Sequence, residues 1–268
     1  CCHDNNLTII NGDARDRNLI RESLKTVDFI FPLACLTGAP LCSKDPIGAQ
    51  STNFDAIKML LDLRRKNQKI IFPTTNSGYG IGEKGLFCTE ETPLRPISLY
   101  GKLKVDIEKI LLDSGNTITL RFATVFGISP RMRLDLLVND FTYRAVNDGF
   151  LILFEAHFKR NFLHVRDAAE AFIHGMENFG EMNGEPYNVG LSDTNISKLE
   201  LCQEIRKHLP NFYFTEAPIG EDADKRDYIV SNKKIEATGF KTKNSLAGGI
   251  SELIKGYQII KRSQFSNI

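Results

Sequence analysis

The sequence predicts an α/β fold in which a doubly wound parallel sheet is joined to a smaller, mixed α/β domain. Two observations predict it. Short β-branched or aromatic runs alternate with helical patterns over the first two thirds of the 268-residue chain, and apolar runs of this kind suit strands that are covered on both faces. After Gly127 the alternation loosens, which indicates a second and less regular domain.

The individual elements follow from this pattern in chain order. Strands are predicted near 7–11, 28–34, 69–75 and 117–123, with helices between them near 16–26, 50–66 and 97–113. The later part predicts a helix near 134–148, strands near 151–154 and 162–165, a helix from Asp167, and amphipathic segments near 197–208 and 245–262. Doubly wound sheets bind ligands beyond the carboxyl ends of their strands. Residues that follow the predicted strands are therefore the candidates for a site.

Composition and charge exclude several classes of function. The chain is 42% hydrophobic and 25% charged, with a formal net charge of +1, and no basic block marks a nucleic-acid or anionic membrane surface. No apolar run approaches the roughly 18 residues that a membrane span needs, and the first residues do not form a signal peptide. We expect a cytoplasmic protein whose partners are small molecules, neither nucleic acid nor membrane.

The cysteines predict reduced thiols and no metal site. The six cysteines are scattered along the chain without the spacing of metal ligands, at positions Cys1, Cys2, Cys35, Cys42, Cys88 and Cys202. Cys1, Cys2 and His3 lie together, but three ligands crowded at a terminus rarely satisfy a tetrahedral ion. We therefore expect no bound metal.

A tyrosine and a lysine four residues apart predict an acid–base pair. Tyr100 and Lys104 share one face of the helix that is expected to begin near Pro96. A lysine charge about 5 Å away stabilises a phenolate by roughly 3 kcal/mol at an effective dielectric near 20, which lowers the pKa by about two units. Tyr257 and Lys261 have the same spacing, but no hydroxyl at a strand end precedes them, so we interpret this second pair as structural.

A hydroxyl at the end of a predicted strand supports the first pair. The segment 69–75 ends in Thr75, some 25 residues before Tyr100, and a threonine there suits a hydrogen bond to a substrate alcohol or carbonyl. The alternative is an ordinary strand end that is followed by a glycine turn at 76–80.

In order along the chain, this strand and hydroxyl, the segment Thr89-Glu-Glu-Thr-Pro93, Pro96, Tyr100 and Lys104 resemble the extended short-chain dehydrogenase/reductase family. The members that it resembles are NAD-dependent nucleotide-sugar epimerases and dehydratases of the UDP-glucose 4-epimerase type. The resemblance implies a Rossmann-like fold and NAD as cofactor, with NADP left open. It further implies cofactor contacts from residues after the predicted strands and on two helices: Asp13, Ala14, Leu33, Ala34, Cys35, Asn53, Tyr100 and Lys104.

The same resemblance implies a nucleotide-diphosphate sugar as substrate. The segment 120–127 resembles the strand that leads to the sugar, and 160–167 resembles the segment whose arginine holds the diphosphate. The implied substrate contacts are Thr75, Asn76, Thr124, Asn139, Arg160 and Arg226. Arginine suits the diphosphate because its planar fork binds phosphate oxygens in pairs. Considered singly, Arg160 and Arg226 would be solvated surface charges.

By resemblance, the catalytic group is Thr75, Tyr100 and Lys104, and the reaction is epimerisation through transient oxidation and re-reduction of the sugar. A reductase, a dehydratase and a relative that binds a nucleotide sugar without turnover are the alternatives. Dehydration is disfavoured because neutral Asn76 and Ser77 follow Thr75, and neutral side chains cannot supply the acid and base of an elimination.

The chain departs from the family where the cofactor's pyrophosphate should bind. It contains no Gly-x-x-Gly-x-x-Gly turn between a first strand and a helix. The glycines between Gly78 and Gly85 follow the catalytic strand, so we interpret them as an active-site loop. The family has about two strands and two helices more before Leu7. We therefore expect the natural polypeptide to be longer, and the Rossmann-like sheet to lack its N-terminal strands.

These expectations divide the chain into two domains and suggest a dimer. An incomplete NAD-binding Rossmann domain is predicted over 1–127 and about 161–183, and a nucleotide-sugar-binding domain over 128–160 and 184–268. The resemblance implies a homodimer through the helices near 50–66 and 97–113, with apolar surface supplied by Met59, Leu60, Leu61 and Leu63. These four residues could equally pack in the core against the sheet.

Overall fold

The computed structural model describes Asp4, residues 6–218 and residues 226–260. The strands in this part of the chain are β1 Phe29–Ile30, β2 Lys69–Thr75, β3 Phe87–Cys88, β4 Thr117–Phe122, β5 Thr124–Phe126, β6 Phe150–Leu153, β7 Lys159–Arg160, β8 Phe162–His164, β9 Pro186–Val189, β10 Ile196–Ser197, β11 Tyr213–Glu216 and β12 Ile229–Val230. The helices are α1 Arg17–Ser23, α2 Ala39–Lys44, α3 Pro46–Gln50, α4 Ala56–Leu63, α5 Leu99–Asp113, α6 Leu137–Asn147, α7 Val165–Glu177, α8 Phe179–Met182, α9 Lys198–His208, α10 Lys233–Ala237 and α11 Leu246–Ile260.

A four-stranded parallel sheet in the order β1-β2-β4-β9 forms the centre of the molecule. Side chains of β2 alternate between its two faces. Ile70 and Phe72 pack in the core cluster of α4 and α5, whereas Ile71 packs in the cluster that contains Ala171 of α7. Helices therefore cover both faces of a parallel sheet, which is the predicted doubly wound α/β arrangement.

A second hydrophobic core lies among α6, α9, α11 and β6. Its buried members include Val138, Leu151, Leu201 and Ile250, and β6 pairs with β11 in a small sheet of its own. The structure differs from the predicted domain division at residue 184, because β9 pairs with β4 and so belongs to the central sheet. The other domain boundaries stay predictions.

Most predicted elements are present, but the strand predicted at 7–11 is not. This segment has no strand pairing, and the exposed fractions of Leu7, Ile9 and Ile10 are 49%, 77% and 59%. The prediction is wrong for the described structure, because a strand requires a hydrogen-bonded neighbour and β1 pairs only with β2 among the described residues. The apolar pattern alone carries no information about that neighbour.

Two further expectations concern surfaces. None of the helices over 4–218 and 226–260 combines the length and the apolar character that crossing a membrane requires. Of the side chains proposed for a dimer interface, Leu60 is buried in the core and Leu61 packs partly against it, as the alternative interpretation expects. The dimer itself stays a prediction.

Candidate active site

A cavity lies at the carboxyl ends of β2 and β4. Its lining includes Thr75 at the end of β2, Thr124 just after β4, and Tyr100 and Lys104 from α5. This is the position at which a parallel sheet binds its ligands. The structure therefore brings the three predicted catalytic residues to one site with two further predicted substrate contacts, Thr124 and Arg226.

The helix α5 positions Tyr100 and Lys104 on the cavity. Its start is held by Ser98, whose hydroxyl accepts a hydrogen bond from the Gly101 backbone N–H at 3.1 Å. The side chain of Lys104 is buried, and its ammonium Nζ donates a hydrogen bond of 2.8 Å to the Pro73 carbonyl. Burial lowers the pKa of Lys104. The ammonium is thereby tied to β2 beside Thr75.

The pKa of Tyr100 moves in the direction opposite to the one predicted. Burial raises the pKa of this phenol, and the thiol groups of Cys35 and Cys42 oppose its ionisation further. The positive charges of Arg133 and Arg226 lower the pKa but do not outweigh burial. The predicted downward shift by Lys104 is wrong here, because spacing along a helix indicates proximity and carries no information about loss of water.

A short chain of hydroxyl groups connects Thr75 to an arginine. The Thr75 hydroxyl donates to Ser77 Oγ at 2.9 Å and accepts from the Ser77 backbone N–H at 3.1 Å. Arg226 Nη1 also donates to Ser77 Oγ, and all three residues line the cavity. Ser77 was not among the predicted site residues. The signal that could have identified it is a hydroxyl two residues after Thr75, just beyond the end of β2.

Two asparagines that were predicted to contact ligands hold loops in this structure, and their ligand contacts stay predictions. The amide of Asn53 bonds both backbone groups of Leu36, accepting from N–H at 2.8 Å and donating to C=O at 2.9 Å. The amide of Asn139 accepts from the Gly127 N–H at 3.1 Å and donates to the Arg133 carbonyl at 3.0 Å. Both side chains are buried and absent from the cavity linings. They position the loops that line the cavity.

Asn76 does not reach the cavity either. Its side chain is 1% exposed, it lines neither of the two cavities, and neither amide atom has a hydrogen-bond partner among the described residues. Asn76 begins a short 3₁₀ helix, 76–79, whose residues are buried, so its side chain does not continue the pattern of the strand that precedes it. Its predicted substrate contact stays a prediction.

The residues around Lys104 fit the nicotinamide and ribose end of NAD. Leu33 and Cys35 line the cavity beside Lys104, whereas Ala34 is exposed and does not line it. An ammonium has three N–H donors, so Lys104 can donate hydrogen bonds to ribose hydroxyls in addition to its bond to the backbone. Leu33 provides apolar surface for the nicotinamide ring.

Asp13 and Ala14, the residues predicted to contact the cofactor after the first predicted strand, lie away from both cavities. Ala14 is partly exposed, and neither it nor Asp13 lines a cavity. Asp13 bonds Arg15 at 2.6 Å, and this hydrogen bond lowers the pKa of the carboxyl to about 2. Asp13 is therefore a charged surface group that remains exposed to solvent, and its predicted cofactor role stays a prediction.

A second cavity adjoins the first and carries positive charge. The two cavities share Thr124, Leu136 and Arg226, and the second is also lined by Arg160 and Lys198. Arg160 is buried, donates to the Lys159 carbonyl at 2.8 Å and lies 5.6 Å from the centroid of the Tyr228 ring. The carboxylates in its lining, Asp135 and Asp140, are paired with arginines. Such a pair of cavities suits a sugar in the first and a diphosphate in the second.

A buried ion pair connects the helix and the two strands that position the residues of the site. Arg121 on β4 and Glu108 on α5 approach to 2.6 Å, and the Glu108 carboxylate also accepts a hydrogen bond of 2.8 Å from Thr74 on β2. Arg121 further donates to the Tyr79 hydroxyl at 3.1 Å. The pair therefore ties α5 to β4 and β2. Sequence reasoning missed it, because nothing local relates a helical glutamate to an arginine on the next strand.

Two other predictions fall partly outside the described residues. Tyr257 is buried and donates a hydrogen bond of 3.0 Å to the Asn139 carbonyl, which agrees with its interpretation as structural, while its companion Lys261 lies outside the described part of the chain. Cys1, Cys2 and His3 also lie outside it.

Comparison with known proteins relates this site to a family. The model of the family described as NAD dependent epimerase/dehydratase matches residues 2–190. A low-salt glycan biosynthesis protein of Haloferax volcanii is 26% identical over 262 residues, which cover 94% of this chain and 82% of that protein. A UDP-glucose 4-epimerase of Lactobacillus helveticus is 26% identical over 73% of this chain, and the match spans 66% of its own length.

A solved structure has the same fold. The dTDP-glucose 4,6-dehydratase of Bacillus anthracis, in complex with NAD, superposes with a TM-score of 0.77 at 23% identity, covering 93% of this chain and 79% of that one. The family match extends over more than half of the chain and confirms the predicted resemblance, the Rossmann-like fold class and NAD as the cofactor of the family. The chain therefore belongs to the NAD dependent epimerase/dehydratase family.

Proposed function

We propose that this protein epimerises a nucleotide-linked sugar with NAD as its cofactor. One observation carries the choice of epimerisation over dehydration. The described lining of the catalytic cavity includes Thr75, Tyr100 and Lys104 but no aspartate or glutamate. Proton transfer at one sugar hydroxyl is therefore available, whereas an elimination also needs an acid and a base for the leaving group.

The chain's own residues divide the remaining work. Bound NAD would supply a reversible hydride acceptor for one sugar carbon. Tyr100 accepts the proton of the hydroxyl on that carbon, and Thr75 hydrogen-bonds the same oxygen. Lys104 holds the ribose of the cofactor in the same cavity as Tyr100.

The second cavity holds the rest of the substrate in this proposal. Arg160 and Arg226 bind the diphosphate, since both line this cavity and guanidinium groups match phosphate oxygens. Arg226 also lines the catalytic cavity, so it stands where the sugar joins the diphosphate. The Lactobacillus relative is named for a UDP-sugar, and UDP-sugars are the first substrates to assay.

Replacing Tyr100 by Phe tests the assignment. Turnover of the protein supplied with NAD is expected to fall by about 10² to 10⁴, the range for loss of one general acid–base group. Binding of the UDP-sugar, measured by calorimetry, is expected to change by less than about threefold, because the phenyl ring keeps the shape of the pocket. The matched control is Tyr213→Phe, since Tyr213 lies on β11 and is exposed.

The results separate the candidate reactions. Unchanged turnover in the Tyr100→Phe variant would overturn the catalytic assignment. Conversion that consumes NAD(P)H in equal amount to product would identify a reductase, since an epimerase leaves its cofactor unchanged. Binding of UDP-sugars with no conversion, although NAD is present, would identify a relative that binds its ligand without turnover.

A further inference from the structure

Among the cations in the described lining of the first cavity, Arg133 has no role in the proposed reaction. It lies in the loop between β5 and α6 and lines the cavity together with Tyr100 and Thr124. Asn139 holds its backbone by donating to the Arg133 carbonyl at 3.0 Å. Its Nε and Nη2 donate to the two oxygens of Asp135 at 2.7 Å and 2.6 Å. Backbone and side chain are therefore both held in place.

The guanidinium keeps one edge available. A guanidinium carries five N–H donors, and Asp135 occupies the edge formed by Nε and one N–H of Nη2. Nη1 has no hydrogen-bond partner among the described residues. The edge formed by Nη1 and the second Nη2 hydrogen has the spacing of a carboxylate's two oxygens. Arg133 can therefore bind a second carboxylate in the same paired manner.

The lining of the cavity has the polarity that an anionic sugar requires. Its described side chains include three cations, Lys104, Arg133 and Arg226, and no Asp, Glu, Asn or Gln. The hydroxyls of a neutral sugar need acceptors, and among these side chains only hydroxyl and thiol groups can accept. Tyr100 and Arg133 are also close enough that each affects the ionisation of the other. An anionic group on the sugar would thus lie near the reacting centre.

We propose that Arg133 selects a nucleotide-linked sugar that carries a carboxylate on its ring, a hexuronate. This proposal rests on the proposed function and names its substrate class. The carboxylate pairs with the Nη1–Nη2 edge of Arg133, while the diphosphate occupies the second cavity with Arg160. A neutral hexose leaves that edge without an anion in a pocket that is poor in acceptors, and it binds more weakly for this reason.

Calorimetric binding of two ligands tests the proposal without requiring turnover. UDP-glucuronate and UDP-glucose differ only at the carboxylate, and each is titrated into the protein in the presence of NAD. The wild type is expected to bind UDP-glucuronate at least about tenfold more tightly, as one charge-assisted hydrogen-bonded pair provides. Arg133→Met is expected to bring the two affinities within about twofold of each other.

Two further variants serve as controls. Arg133→Lys keeps the positive charge without the paired geometry, and it is expected to retain part of the preference. Arg131→Met removes an exposed arginine two residues away that lines neither cavity, and it is expected to keep the whole preference. Thermal unfolding of each variant confirms that it is folded before its binding is compared.

Each outcome decides a different point. Equal affinities of the wild type for the two ligands would overturn the uronate proposal and leave the proposed function standing. Weakening of both ligands by the same factor in Arg133→Met would also overturn it, because Arg133 would then contact the diphosphate. Failure of the wild type to bind either ligand would overturn the proposed function on UDP-sugars, and the choice of uronate with it.

Discussion

Replacing Glu108 by Gln is expected to destabilise the fold by about 3 kcal/mol. The Glu108 carboxylate accepts hydrogen bonds from Thr74 Oγ1 at 2.8 Å, Thr119 Oγ1 at 3.2 Å and Arg121 Nη2 at 2.6 Å. Side-chain exposure is 4% for Glu108 and 7% for Arg121. The neutral amide leaves the charge of Arg121 buried without a counter-ion. It also places an N–H₂ group among neighbours that are hydrogen-bond donors.

The magnitude follows from the burial of the pair. Removing one partner of a buried ion pair costs about 3–5 kcal/mol, and we take the lower end because Tyr79 and the Glu90 carbonyl still bond Arg121. A domain's total stability is about 5–15 kcal/mol, so the loss is a large part of it. The midpoint of thermal unfolding should fall by about 6–12 °C for a protein of this size.

Urea unfolding followed by circular dichroism measures the change, with Glu185→Gln as the matched control. Glu185 pairs with Lys234 at 2.7 Å, but its side chain is 54% exposed, so its loss is expected to cost less than about 1 kcal/mol. The double variant Glu108→Leu, Arg121→Met is expected to recover most of the loss, because it leaves no buried charge. A Glu108→Gln variant no less stable than the control would refute the reasoning.

Two further predictions concern a buried histidine and a thiol. Burial lowers the pKa of His164 although Glu252 raises it, so this residue contributes stability above pH 6.5 that is lost as the pH falls through its folded pKa. The variant His164→Asn keeps an acceptor for the Arg166 N–H at the start of α7. It should make the unfolding free energy depend less on pH between pH 7 and 5, and an unchanged pH dependence would contradict this. Iodoacetamide should modify Cys35, which lines the cavity, faster than Cys42, whose pKa is raised by burial, and added NAD should slow the reaction at Cys35. Peptide mass mapping measures both rates, and a Cys35 rate unaffected by NAD would exclude the cofactor from this part of the cavity.

Sequence patterns predicted the features that depend on local geometry. The strand at 69–75 and a helix over 97–113 are present as Lys69–Thr75 and Leu99–Asp113, because alternation and helical periodicity are properties of neighbouring residues. A helical spacing of four also placed Tyr100 and Lys104 on one cavity. The parallel topology then placed Thr75 at the same edge of the sheet.

Residue type and order were poorer guides to the role of side chains that act through distant contacts. Asn53 and Asn139 bind backbone loops and Asn76 is buried away from the cavity, while the ligand contacts predicted for all three stay predictions. An asparagine side chain has two N–H donors and two acceptor lone pairs, which suit a ligand and a backbone loop equally well. Only the surrounding fold decides which groups they meet.

By itself, the sequence determined most of the strands and helices, the Tyr100–Lys104 pair with its strand-end Thr75, and membership of the family, since each is carried by residues close together along the chain. The tertiary structure decided the rest. It placed Arg133 on the same cavity as Tyr100, paired Glu108 with Arg121, and raised the pKa of Tyr100. The physical reason is the same in each case: loss of water and contact between residues far apart in sequence depend on how the elements pack, and no local pattern encodes either.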